Sequence, residues 1–267
     1  MHHSIESHPR LRPIPQQRVI EKLDWYMSRR DVAGAERHLL YWLEEARQGG
    51  DLRGALMLRN ELVGHYRKTG RRDKALENGE AALALLERLD FGDTISAGTT
   101  CVNFATALNA FGENERALAL FERARPIYES SAAIRPELLG GLYNNMALTC
   151  VALGRYAEAE ALYDKAMAVM AKAPHGALEQ AITCLNLADM VEARDGMEAG
   201  ESAIYALADR AVALLDDPAL EHDGYYAFVC DKCAPTLEYY GYFDDARRIR
   251  EEAERIYGGT WAGASLL

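Results

Sequence analysis

Three asparagines, Asn103, Asn145 and Asn186, recur 42 and 41 residues apart. A side-chain amide offers one carbonyl acceptor and an NH2 donor. That is the complement of a peptide backbone, so a row of such amides would hydrogen-bond an extended chain at regular steps. The same amides could instead tie neighbouring helices together or face water. Two other pairs invite chemistry. Cys230-x-x-Cys233 has the local spacing of a zinc or redox motif, but the sequence holds no second such pair and no βαβ pattern around it. Both cysteines, with Cys101, Cys150 and Cys184, read as core residues, because thiols pack as small apolar groups. Glu61 and His65 lie one helical turn apart, without an HExxH motif or a third ligand, and read as an ion pair or a solvated face. No GxSxG, GxxxxGK[ST] or strand-borne GxGxxG occurs. No catalytic residues and no metal or cofactor ligands are assigned, and the chain reads as a non-enzyme.

The elements that would position these residues follow from a repeat. Ala75, Ala117 and Ala159 are 42 residues apart, each five residues after a glycine (Gly70, Gly112, Gly154), and Gly241 with Ala246 repeats the pair. A fixed period of this size means one supersecondary unit copied along the chain. Around Gly154, Leu142, Tyr143, Met146, Ala147, Cys150 and Val151 recur at helical spacing, and Ala159, Leu162, Tyr163, Ala166 and Met170 do so after it. Two amphipathic helices joined at a glycine form a hairpin. The same grammar fits Leu62 to Ala82, Phe104 to Ala124 and Cys233 to Ala253, with a degenerate copy at Leu23, Tyr26, Ala35 and Leu39. A slipped copy carries Leu187, Ala188, Val191, Ala203 and Leu207. The aromatics Phe121, Tyr143, Tyr163, Tyr239, Tyr240, Tyr242 and Phe243 mostly hold frame positions and read as core. The prediction is an all-α chain, a right-handed α-solenoid of about six antiparallel hairpins. Residues 1–15 form an irregular tail, 16–257 the array and 258–267 a second tail, whose Trp261, Leu266 and Leu267 are expected to dock on the last hairpin.

The segments 105–108, 112–124 and 154–166 place a small residue, a large residue, glycine, alanine, an aromatic and alanine in the order used by the tetratricopeptide repeat family, which this chain resembles. The usual repeat is about 34 residues. A period of 42 implies longer helices, similar to those of kinesin light chain repeats. The resemblance implies a superhelix whose first helices line a concave groove, and asparagines there that hold a peptide main chain. It projects onto that face Asn60, Glu61, Thr106, Asn109, Asn144, Asp189, Glu192, Asp231, Lys232, Glu238 and Tyr239 beside the asparagine row. The C-terminal members are mostly acidic, which suits a partner carrying lysine or arginine. The family's carboxylate clamp needs lysines where this chain has Thr99, Gly141, Ile182 and Phe228, so that partner class is not expected.

The net charge of −11 and pI near 5.2 disfavour nucleic acid and anionic lipid as general partners. The local basic run Arg67, Lys68, Arg71, Arg72 and Lys74 reads as a solvated helix end. The N-terminal residues lack a signal-peptide pattern, no run is long and apolar enough to span a membrane, and five cysteines lack a disulfide framework. A cytoplasmic protein is expected. Its function reads as a scaffold that binds an extended peptide or protein segment. The alternatives are a peptide-sensing receptor acting on a separate effector chain, and an assembly spacer using its convex face or tails. Oligomeric state is left open.

Overall fold

The computed structural model describes residues 12–259. Among them are twelve α-helices and no strand: α1 (Gln16–Ser28), α2 (Val32–Gly49), α3 (Leu52–Lys68), α4 (Arg72–Arg88), α5 (Ile95–Ala110), α6 (Asn114–Ser130), α7 (Pro136–Ala152), α8 (Tyr156–Met170), α9 (Gly176–Asp195), α10 (Met197–Leu215), α11 (Gly224–Tyr239) and α12 (Phe243–Gly259). The chain divides into two compact units, Met1–Glu113 and Asn114–Leu267. The docking of Trp261, Leu266 and Leu267 concerns residues outside the described ones.

In the first unit α1 packs on α2 and α3 on α4, while α2 also meets α3, and α5 meets both α3 and α4. In the second, α7 packs on α8, α9 on α10 and α11 on α12, with α7 against α9 and α9 against α11. Each helix thus buries its apolar stripe on sequence neighbours, as a helical-repeat solenoid does. The recurring alanines Ala75, Ala117, Ala159 and Ala246 are 0–1% exposed. Their small side chains let paired helices approach. The turns work because glycine tolerates left-handed backbone: Gly70, Gly112, Gly154, Gly196 and Gly241 have φ of 69–88°. In the first hairpin Arg30 takes that place with φ 55°.

Two details depart from the predicted frame. The fifth hairpin does not bury Ala203, which is exposed. It buries Gly200, Ile204 and Ala208. Gly196 ends α9 and also serves as the N-cap of α10, so this helix starts one residue early and buries Gly200 one place ahead of the alanine of the other hairpins, while Ala208 keeps the place of Ala124 and Ala166. The basic run is not merely solvated. Arg71 and Lys74 bind the Glu36 carboxylate at 2.5 and 3.1 Å, and Arg72 pairs with Glu113. Residues 12–15 are non-helical but docked: the Arg12 amide donates to Gly49 O (3.0 Å) and the Ile14 amide to Asp51 Oδ2 (2.9 Å).

Candidate functional site

Counting back nine residues from Gly70, Gly112, Gly154 and Gly241, and ten from Gly196, gives one equivalent position on five first helices: Glu61, Asn103, Asn145, Asn186 and Lys232. The residues that precede it in the chain behave differently. Asn144 is buried, its amide donates to Thr183 Oγ1 (2.9 Å), and that hydroxyl lies 3.1 Å from Asn144 Oδ1. Asn60 likewise donates to Thr100 Oγ1 (3.0 Å) and to its own helix at Leu56 O (3.2 Å). These two asparagines, expected on the groove, are struts between successive first helices. The reason is angular: one residue further along a helix turns a side chain by about 100°, here from the inter-helix seam to the open face.

On the open face the row itself is unengaged. Asn103 in the first unit, and Asn145 and Asn186 in the second, are half-buried, and among the described residues their amides have no hydrogen-bond partner. Asn109 and Thr106 are also half-buried; the Thr106 hydroxyl donates to Val102 O (2.8 Å), and so is tied to its own helix. Glu61 carries no bond to His65. Burial, then Asp24, push the Glu61 carboxyl above its usual range, while His65 is buried with Nε2 unpartnered and its pKa lowered by desolvation. The expected ion pair or solvated face is corrected: the ring belongs to the core, and the acid is bonded to neither the ring nor, among the described residues, any other side chain.

In the second unit charged residues lie beside Asn145 and Asn186 on the first helices. Lys232 is exposed, its Nζ lies 4.7 Å from the Phe228 ring, and no carboxylate lies within ion-pair distance among the described residues. Near it, burial raises the Glu179 carboxyl against the opposing pull of Lys232, and the Tyr225 hydroxyl donates to that carboxylate. Asp231 is exposed on the same helix, and Glu238 is engaged by Arg250 at 2.8 Å. One turn further, Tyr240 OH lies 2.9 Å from Asp189 Oδ1 and 3.0 Å from Glu192 Oε2, and Tyr239 OH donates to Glu192 Oε1 (2.7 Å). One phenol proton cannot serve both of Tyr240's carboxylate neighbours. The surrounding protein raises the Asp189 carboxyl despite that bond, and Glu192 adds to the rise. Tyr163, fully buried in α8, has an unpartnered hydroxyl under the influence of the same Asp189 charge. Asp189 and Glu192 have no cationic side chain at ion-pair distance among the described residues. The face therefore offers free amides, a free ammonium and two acids held only by phenols.

The aromatics divide. Phe121, Tyr143, Tyr163 and Tyr240 are buried as expected of frame residues, but Tyr239 is 68% and Phe243 65% exposed. All five cysteines are buried, and burial raises the Cys230 thiol to about 11 and the Cys233 thiol further. Among the described residues no cluster of three or more His, Cys, Asp or Glu could hold a metal, and no helix is long and apolar enough to cross a membrane. The engagement of Asn60 and Asn144 and the exposure of Tyr239 carry no sequence signal beyond their position beside the row.

The geometry has parallels. Residues 55–130 and 139–173 match tetratricopeptide repeat models. No curated protein matches in sequence. Among solved structures, BtubC (BKLC) from P. vanneervenii is 20% identical with a TM-score of 0.55, covering 90% of this chain and 97% of that one. A Podosopora anserina structure of nearly identical, kinesin light chain TPR-like repeats is 20% identical with a TM-score of 0.51, covering 76% and 95%. The apo form of the quorum sensor NprR from B. thuringiensis is 12% identical with a TM-score of 0.56, covering 90% of this chain and 64% of that one. The repeat period, the paired helices and the matched segments agree: residues 55–130 and 139–173 are tetratricopeptide repeats.

Proposed function

We propose that this chain is a non-catalytic interaction scaffold that binds an extended peptide or protein segment along its first helices. The observation that carries the reading is the contrast between adjacent asparagines. Asn144 is locked to Thr183, while Asn145 and Asn186 keep free amides on the open face of the same helices. Each free amide can exchange two hydrogen bonds with a main chain, and such bonds contribute about 0.5–1.5 kcal/mol apiece. The phenol-held acids Asp189 and Glu192 would select a basic side chain of the bound segment, and the unpaired Lys232 an acidic group. Buried, unoxidised thiols suit a cytoplasmic setting. The fold match to the quorum sensor NprR favours a second reading, in which the bound segment is a free signalling peptide and the output passes to another protein.

The test is a random peptide display selection on wild type and on Asn145→Ala/Asn186→Ala, with melting curves for both. The proposal expects a sequence family enriched only by wild type and nearly equal melting. Equal enrichment by both proteins would sink it. So would early melting of the variant with unchanged binding per folded molecule, since the asparagines would then be struts.

A further inference from the structure

The edge formed by α10 and the start of α12 carries a surface that the first-helix face does not explain. On α10 Ile204 lies inside, at 0% exposure, and Tyr205 faces outward, at 37%. In the preceding hairpins the aromatic nine residues after the turn glycine, Phe121 or Tyr163, is fully buried. Tyr205 stands one turn from Glu201 and one turn from Asp209, so the three form a single exposed stripe on α10. The Tyr242 ring lies 6.2 Å from the Tyr205 ring, and its hydroxyl donates to Asp209 Oδ1 at 2.5 Å. Phe243, 65% exposed, opens α12 at the place held by Arg72, Asn114 and the half-buried Tyr156 in α4, α6 and α8. Tyr205, Tyr242 and Phe243 line a shallow cleft of about 400 Å³ together with Asp244 and Asp245.

The charges around these rings are unequal. Asp244 and Asp245 are paired with Arg247 and Arg248. Glu201 and Asp209 have no cationic partner at ion-pair distance among the described residues. Exposed aromatic rings bordered by uncompensated carboxylates attract a cation twice, through the ring faces and through the acids. A planar guanidinium can stack on a ring while donating to a carboxylate beside it, which an ammonium does less well.

We propose that this edge is a docking surface for an arginine-bearing segment of a partner protein, with the guanidinium over Tyr205 and Phe243 and its N–H groups on Asp209 and Glu201. This surface lies on the second-helix side and does not depend on the asparagine row. An acidic or purely apolar segment does not fit, since it would leave these carboxylates opposed or desolvated.

The probe is a fluorescein-labelled (Arg-Ser)4 peptide followed by anisotropy, against wild type, Tyr205→Leu/Phe243→Leu and Asn145→Ala/Asn186→Ala. The leucine pair keeps every charge and much of the apolar bulk, and melting curves check its fold. The proposal expects saturable binding to wild type, weakened about tenfold or more by the leucine pair and unchanged by the asparagine pair. Absence of binding to wild type overturns it. Undiminished binding to the leucine pair also overturns it, showing attraction by net charge alone. Loss only in the asparagine pair would move the peptide to the first-helix face, overturning the edge site while supporting the proposed function.

Discussion

Asn144→Ala should destabilise the fold by about 1–2 kcal/mol, because it removes a buried hydrogen-bond exchange with Thr183. Asn145→Ala should stay within about 0.5 kcal/mol of wild type, as expected for an open side chain without a partner. Urea melts of the two variants compare them directly; equal losses would refute the division between strut and face. Glu36 provides an acid-sensitive contact between elements of the first unit. Burial alone would raise its carboxyl, but bonds from Lys74, Tyr66 and Arg71 outweigh this and hold it at about 2, against an ordinary 4.5. A folded pKa below the unfolded one means that its contribution is complete above pH 4.5 and is lost as pH falls towards 2. Glu36→Gln should lower stability at pH 7 by about 1–2 kcal/mol, a figure kept small because Arg71 and Lys74 are substantially exposed. The gap to wild type should close towards pH 2. A gap that stays constant from pH 7 to 2 would show that packing, not charge, is responsible.

Element by element, the hairpins share one turn geometry, and the first is its exception. Arg30 holds φ 55° where the others have glycine. A left-handed residue with a Cβ is strained by about 1–2 kcal/mol, so Arg30→Gly should stabilise the first hairpin by up to about 1 kcal/mol after glycine's entropy cost. Amide hydrogen exchange in α1 and α2 would register this as slower exchange; unchanged or faster exchange would contradict it. The helices and turns were legible in the chain because alanine and glycine recur at a fixed offset and each turn requires a left-handed residue. The fifth hairpin was not, because Gly196 caps one helix while starting the next, and that sharing leaves no mark in residue type. The turning out of Tyr205 was equally invisible, because Phe121 and Tyr163 stand at the same distance from their turn glycines and are buried.

At the scale of the whole molecule, every cysteine is buried, with Cys184, Cys230 and Cys233 in one cluster beside Leu178, Tyr226 and Ile249. Only the thiolate reacts readily; burial raises the thiols of Cys150, Cys184, Cys230 and Cys233, and Cys101 is itself 0% exposed. A disulfide exchange reagent at pH 8 should therefore find almost no fast thiols in the native protein and five in urea; two or more fast native thiols would contradict the packing. The sequence by itself determined the helical repeat, the turn positions, the alanine seams and the asparagine row, since each depends on residue type at a fixed interval and helix geometry converts interval into direction. Only the tertiary structure decided that Asn60 and Asn144 are struts while their chain neighbours stay open. Only it showed that Glu36 gathers polar groups from α3, α4 and the turn between them, and that Tyr239 and Phe243 face solvent. These depend on which helix lies beside a side chain, and a periodic sequence leaves the choice between seam and surface to rotations of one residue that only packing resolves.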